Sequence, residues 1–77
     1  ITTIRYDLPE QSHVNIVIYD MLGREVTQLV NATLEAGYRS IQWNSTNSFG
    51  KPVSAGVYIY RINAGKFMQA RKMVLLK

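Results

Sequence analysis

The chain has 77 residues, 47% of them apolar and 18% charged, with nine Lys and Arg against five Asp and Glu and no Cys. This length holds one small domain, since a chain of this size buries only about 60% of the surface it exposes when unfolded; the apolar share excludes a disordered tail and the missing Cys excludes disulfide staples and thiolate metal sites. A net charge of +4 is an ordinary solubility charge that permits an anionic partner without requiring one.

Apolar residues recur with a period of two almost throughout. Ile4, Tyr6 and Leu8 alternate with Thr3, Arg5 and Asp7, which predicts a half-buried first strand that Pro9 stops. After the Glu10-Gln11-Ser12 turn, Val14, Ile16 and Ile18 alternate with Asn15, Val17 and Tyr19 in a second strand. Asp20-Met21-Leu22-Gly23 suits a type I turn, because the Asp carboxylate can accept a turn N–H and Gly tolerates a left-handed backbone. A less regular third strand follows over Arg24 to Val30, and Asn31 to Gly37 reads as a loop or brief helical turn. Tyr38 to Trp43 is a fourth strand, Asn44 to Gly50 is polar and turn-rich, and Pro52 extends that loop before Val53. Gly56 to Ala64 and Phe67 to Leu76 are strands joined by the tight Ala64-Gly65-Lys66 hairpin. Six to seven short strands, with turn signals about every 8–12 residues, predict an all-β antiparallel sandwich.

The side chains hold no convincing reaction centre. Nucleophilic catalysis needs a nucleophile, a base and an orienting group within reach of one another. The one imidazole, His13, is expected on the opposite strand face from its neighbour Ser12. Asp7 with Glu10 and Asp20 with Glu25 flank turns, so no enzyme is expected. The oxygen-rich run Asn44 to Gly50 lacks the carboxylates of a calcium loop, so no metal and no cofactor is expected. Tyr58, Tyr60, Arg61, Lys66, Phe67, Arg71 and Lys72 superficially suit nucleic acid, but strand alternation divides aromatics from cations, and no nucleic-acid partner is expected. A carbohydrate-binding module would need an exposed aromatic platform, for which Trp43 is the best candidate. No apolar run nears the roughly 20 residues of a membrane-spanning helix. The Asn31-Ala32-Thr33 and Asn44-Ser45-Thr46 sequons carry little weight by themselves.

Several segments, taken in order, resemble a known family. Thr3-Ile4-Arg5-Tyr6-Asp7-Leu8-Pro9, Val17-Ile18-Tyr19-Asp20-Met21-Leu22-Gly23-Arg24-Glu25-Val26, Gly37-Tyr38 leading to Trp43-Asn44, and Gly50-Lys51-Pro52-Val53-Ser54-Ala55-Gly56-Val57-Tyr58 are similar to type A C-terminal sorting domains of the type IX (Por) secretion system. Arg71-Lys72-Met73-Val74-Leu75-Leu76-Lys77 resembles that family's terminal motif, whereas Asn44-Ser45 stands where many members carry Asp-Gly. The related Ig-like domain of flagellar hook-capping (FlgD-type) proteins shares much of the pattern.

The resemblance implies an Ig-like sandwich spanning residues 1–77, trimmed from a larger secreted protein and reaching the medium or cell surface through the periplasm and outer membrane. Its implied partners are the type IX machinery, a sortase-like peptidase and a covalently linked N-terminal passenger, typically a hydrolase. Gly56, Tyr58, Lys72, Met73, Val74, Leu75, Leu76 and Lys77 become candidates for the recognition signal, with Tyr19, Asp20, Gly23 and Arg24 as the turn that presents it. One of the adjacent Leu75 and Leu76 should face outward. The alternative is a structural Ig-like spacer or assembly module of the hook-cap type. An unpaired edge strand would also give such a sandwich a route to a dimer.

Overall fold

A computed structural model describes residues 2–76. Among them are six strands and no helix: β1 (Thr2–Leu8), β2 (Ser12–Tyr19), β3 (Glu25–Leu34), β4 (Gly37–Trp43), β5 (Gly56–Ala64) and β6 (Phe67–Leu75). They form two antiparallel sheets, one of β1 and β4 and one in the order β3-β2-β5-β6. The all-β expectation holds, and the six strands are the lower figure of the expected six to seven. No described helix is long and apolar enough to cross a membrane.

The core lies between the sheets and follows the alternation. Ile4 and Leu8 of β1, Val14, Ile16 and Ile18 of β2, Trp43 of β4, Tyr58, Ile62 and Ala64 of β5 and Leu75 of β6 are all buried in one cluster. Trp43 meets Tyr58 edge to face at 5.3 Å between ring centroids. Each ring also satisfies its polar end: Trp43 Nε1 donates to the Thr46 carbonyl at 2.8 Å and the Tyr58 hydroxyl to the Ser54 carbonyl at 2.6 Å. Trp43 is 1% exposed, so it offers no stacking face for a sugar, and the carbohydrate-binding alternative loses its platform.

The third strand departs from expectation. It runs on to Leu34 instead of giving way to a loop at Asn31, because Asn31, Ala32, Thr33 and Leu34 pair with Asn15, Val14, His13 and Ser12. Ladder pairing outweighs the weak strand preference of Asn and Ala. Its irregular apolar pattern has a physical cause as well. The register with β2 shifts twice, leaving Leu29 and Val26 as extra residues. Each bulge resets the alternation, so Leu29 and Val30 both lie half-buried against the core.

Candidate functional site

The predicted turn residues assemble at the tip of the β2–β3 hairpin. The Gly23 N–H donates to the Asp20 carbonyl at 3.0 Å, and the Asp20 N–H donates to the Arg24 carbonyl at 2.9 Å. Asp20 Oδ1 accepts from the Leu22 and Arg24 N–H groups, both at 2.9 Å, while Arg24 Nε donates to Asp20 Oδ2 at 3.0 Å. Gly23 completes the turn at φ 83°, a left-handed conformation that side chains with a Cβ resist. The Arg24 backbone N–H, helped by the Arg24 guanidinium and the Leu22 N–H, holds the Asp20 carboxyl below its ordinary pKa against slight desolvation. The turn is thus closed by one side-chain acceptor and one glycine.

Tyr19, the last residue of β2, links this turn to the large sheet. In register it pairs with Glu25 on β3 and with Ile59 on β5, and Ile59 pairs in turn with Lys72 on β6. One row on the outer face therefore crosses all four strands. The Arg61 guanidinium carbon lies 5.3 Å from the Tyr19 ring centroid, a cation–π contact on the same face.

The candidate signal residues cluster on β5 and β6. Gly56 pairs with Leu75, and Tyr58 with Met73. Leu75 is buried and Met73 half-buried on the core side, whereas Lys72 and Val74 are exposed on the outer side. Leu76, just past the strand, is 83% exposed. The two leucines thus divide as strand alternation requires, Leu75 into the core and Leu76 into solvent. Tyr58 and Leu75 are core residues that hold the surface in place, and Lys77 lies outside the described residues.

The turn-rich run from Asn44 to Gly50 holds a second turn whose likeness to the first the sequence analysis did not draw. Asn47-Ser48-Phe49-Gly50-Lys51 repeats the spacing of Asp20-Met21-Leu22-Gly23-Arg24, and Asn47 Oδ1 accepts from the Phe49 and Lys51 N–H groups at 2.9 and 3.1 Å. The shared spacing of Asn or Asp, Gly and a cation was the available signal. The same bonds occupy the Asn47 oxygen that a calcium loop would need, and no cluster of three acidic, His or Cys side chains suited to a metal occurs among the described residues. Ser12 and His13 have separate partners: Ser12 Oγ donates to the Glu10 carbonyl at 3.1 Å, and His13 Nε2 lies 2.8 Å from Asn31 Oδ1.

The family described as the FlgD Ig-like domain matches residues 1–66 of this sandwich. The chain belongs to that family. As a FlgD Ig-like domain it has its matched part in β1 to β5 with the turn that follows, while β6 lies beyond the matched segment. Comparison with curated proteins finds no match.

Proposed function

We propose that this FlgD Ig-like domain is a non-catalytic structural module, a stiff spacer or assembly element that works by presenting surfaces to partners. Family membership carries this reading. A closed core in which every buried Trp or Tyr polar end is satisfied supports it, since a rigid scaffold loses little ordering entropy when a partner docks. The test places the domain inside a longer reporter chain and, separately, at its end. Equal folding stability and equal reporter distribution in both placements are expected; dependence on terminal placement overturns the reading.

One feature favours a second reading, a sorting signal for the type IX secretion system. The Arg71 to Lys77 run lies beyond the family-matched segment, and it is there that the sequence resembles the sorting family's terminal motif. Val74 and Leu76 are apolar yet exposed, as residues read by a receptor would be. On this reading the partners are the export machinery and a sortase-like peptidase, the cargo is an N-terminal passenger such as a hydrolase, and the destination is the surface or medium. In a host with that machinery, Lys72→Glu with Val74→Thr and Leu76→Thr would then abolish export of a fused reporter while leaving the domain folded, because all three side chains face solvent. Unimpaired export by the folded triple variant removes this reading.

A further inference from the structure

The two edges of the large sheet are treated differently. At the β3 edge the strand is bent by two bulges, and the Ser48 N–H of the β4–β5 loop donates to the Val26 carbonyl at 3.1 Å, covering part of the edge. The β6 edge has neither protection. Phe67 to Leu75 pair with Gly56 to Ala64 without a register shift, and among the described residues no strand lies beyond β6 in the sheet and no loop backbone bonds to it. The strand contains no Pro or Gly.

Charge is equally lopsided. Residues 51–77 hold Lys51, Arg61, Lys66, Arg71, Lys72 and Lys77 and no Asp or Glu, so every acidic residue of the chain precedes them. Arg71 and Lys72 stand at the middle of β6, are both exposed and, being adjacent, face opposite sides of the sheet. The one ion pair among the described residues is that of Arg24 with Asp20, so no carboxylate neutralises either cation. Exposed apolar side chains flank them: Phe67 and Met68 at one end, Val74 and Leu76 at the other.

We propose that the free edge of β6 docks an extended acidic peptide segment of a partner protein, which adds to the sheet as a further strand. The inference rests on the presentation role proposed above and names the partner chemistry. Backbone N–H and C=O groups along the edge supply the ladder, Arg71 and Lys72 take carboxylates on the two faces, and the flanking apolar side chains take the segment's ends. A second copy of this chain is the poorer occupant. Antiparallel pairing of β6 with itself about its midpoint sets Arg71 against Arg71, and like charges directly opposite one another destabilise a strand pair.

The test titrates the full chain, with backbone amides followed by NMR, against a peptide of about ten residues with two adjacent Glu at its centre, one for each face, flanked by Val. The controls are a twin with Lys in place of Glu and a Glu peptide N-methylated at every residue, because the N–H groups of successive residues point to opposite edges and both edges must be blocked. The Glu peptide is expected to shift and protect β6 amides and to bind about tenfold more tightly than the Lys twin at low salt, two cross-strand charge pairs having changed sign. Raising salt to about 0.5 M should narrow that gap. Arg71→Glu with Lys72→Glu should reverse the preference, and the N-methylated peptide should not bind because it cannot complete the ladder. The methylated control needs no change to the protein and so decides the question even if the double variant does not fold. Equal affinity for Glu and Lys peptides, undiminished binding of the methylated peptide, protection on another strand, or displacement of the Glu peptide by polyphosphate without β6 amide protection would each overturn the proposal, as would a β6-mediated dimer that excludes the peptide. Failure here with position-independent behaviour of the reporter would remove the acidic partner and leave the structural role standing.

Discussion

The turns at Asp20–Arg24 and Asn47–Lys51 are built on one plan and placed in different surroundings. In each, the first residue's carbonyl accepts from the glycine N–H at 3.0 Å and its N–H donates to the fifth residue's carbonyl at 2.9 Å. In each, the side-chain Oδ1 takes two further backbone N–H groups, and the glycine is left-handed, at φ 83° and 77°. Even the third residue matches, since Leu22 and Phe49 are both apolar and exposed. One turn uses a carboxylate and the other an amide, so the geometry comes from the acceptor oxygen and the glycine and not from charge. The surroundings separate them. The first turn stands at a hairpin tip, while the second is tied down by Ser48 to Val26 of β3 and, through Thr46, to the Trp43 indole.

The anchor should matter most. Trp43→Ala removes a buried ring and the donor that fixes the second loop, and urea denaturation is expected to show a loss of about 3–5 kcal/mol. A loss under about 1 kcal/mol would mean that the second turn is not moored through the core. Next come the glycines. A Cβ added at Gly23 or Gly50 would meet nothing within 4 Å, so each Gly→Ala change costs only backbone strain, about 1–2 kcal/mol and nearly the same at both sites. A clearly larger cost at Gly50 would break the equivalence of the two turns.

The capping side chains should give smaller effects. Asn47→Ala strands two backbone donors at the surface and is expected to cost about 1 kcal/mol in the same assay, and Asp20→Ala, which strands the corresponding two donors, should destabilise in the same direction. Asp20→Asn keeps an acceptor in place and loses only an exposed ion pair, so it should destabilise less than Asp20→Ala at neutral pH. The sharpest contrast between the turns is in acid. The Asp20 pKa is lowered in the folded state, so its contribution is fully present above the ordinary value of 3.8 and is lost as pH falls through the lower folded value. Stability measured from pH 5 downward should therefore fall less steeply in Asp20→Asn than in the native chain, while Asn47→Ala should leave that slope unchanged. Identical slopes in all three proteins would show that Asp20 carries no linked proton.

Much of this architecture was legible beforehand, for local reasons. Period-two patterning marked β1 and β2, Asp20 and Gly23 marked the first turn, and alternation alone required Leu75 and Leu76 to part company. The Asn47 turn was obscured because Ser and Asn crowd its loop and hide the same spacing. The end of β3 was misplaced because the bulges at Val26 and Leu29 break the alternation from which strands are recognised. Which strands share a sheet was not legible at all. β5 pairs with β2 across more than thirty intervening residues, and no local signal selects that partner. The bare β6 edge depends on that choice, so the surface proposed to bind became visible only with the topology.

Position-independence is what a structural module requires of this domain. Its most direct test is to express a reporter in a bacterium with type IX machinery, carrying the domain once in the interior and once at the C-terminus, and to measure the share of reporter outside the cell. Equal shares in the two arrangements are expected; release or surface display only from the terminal arrangement would show that the domain works by its place at the chain end.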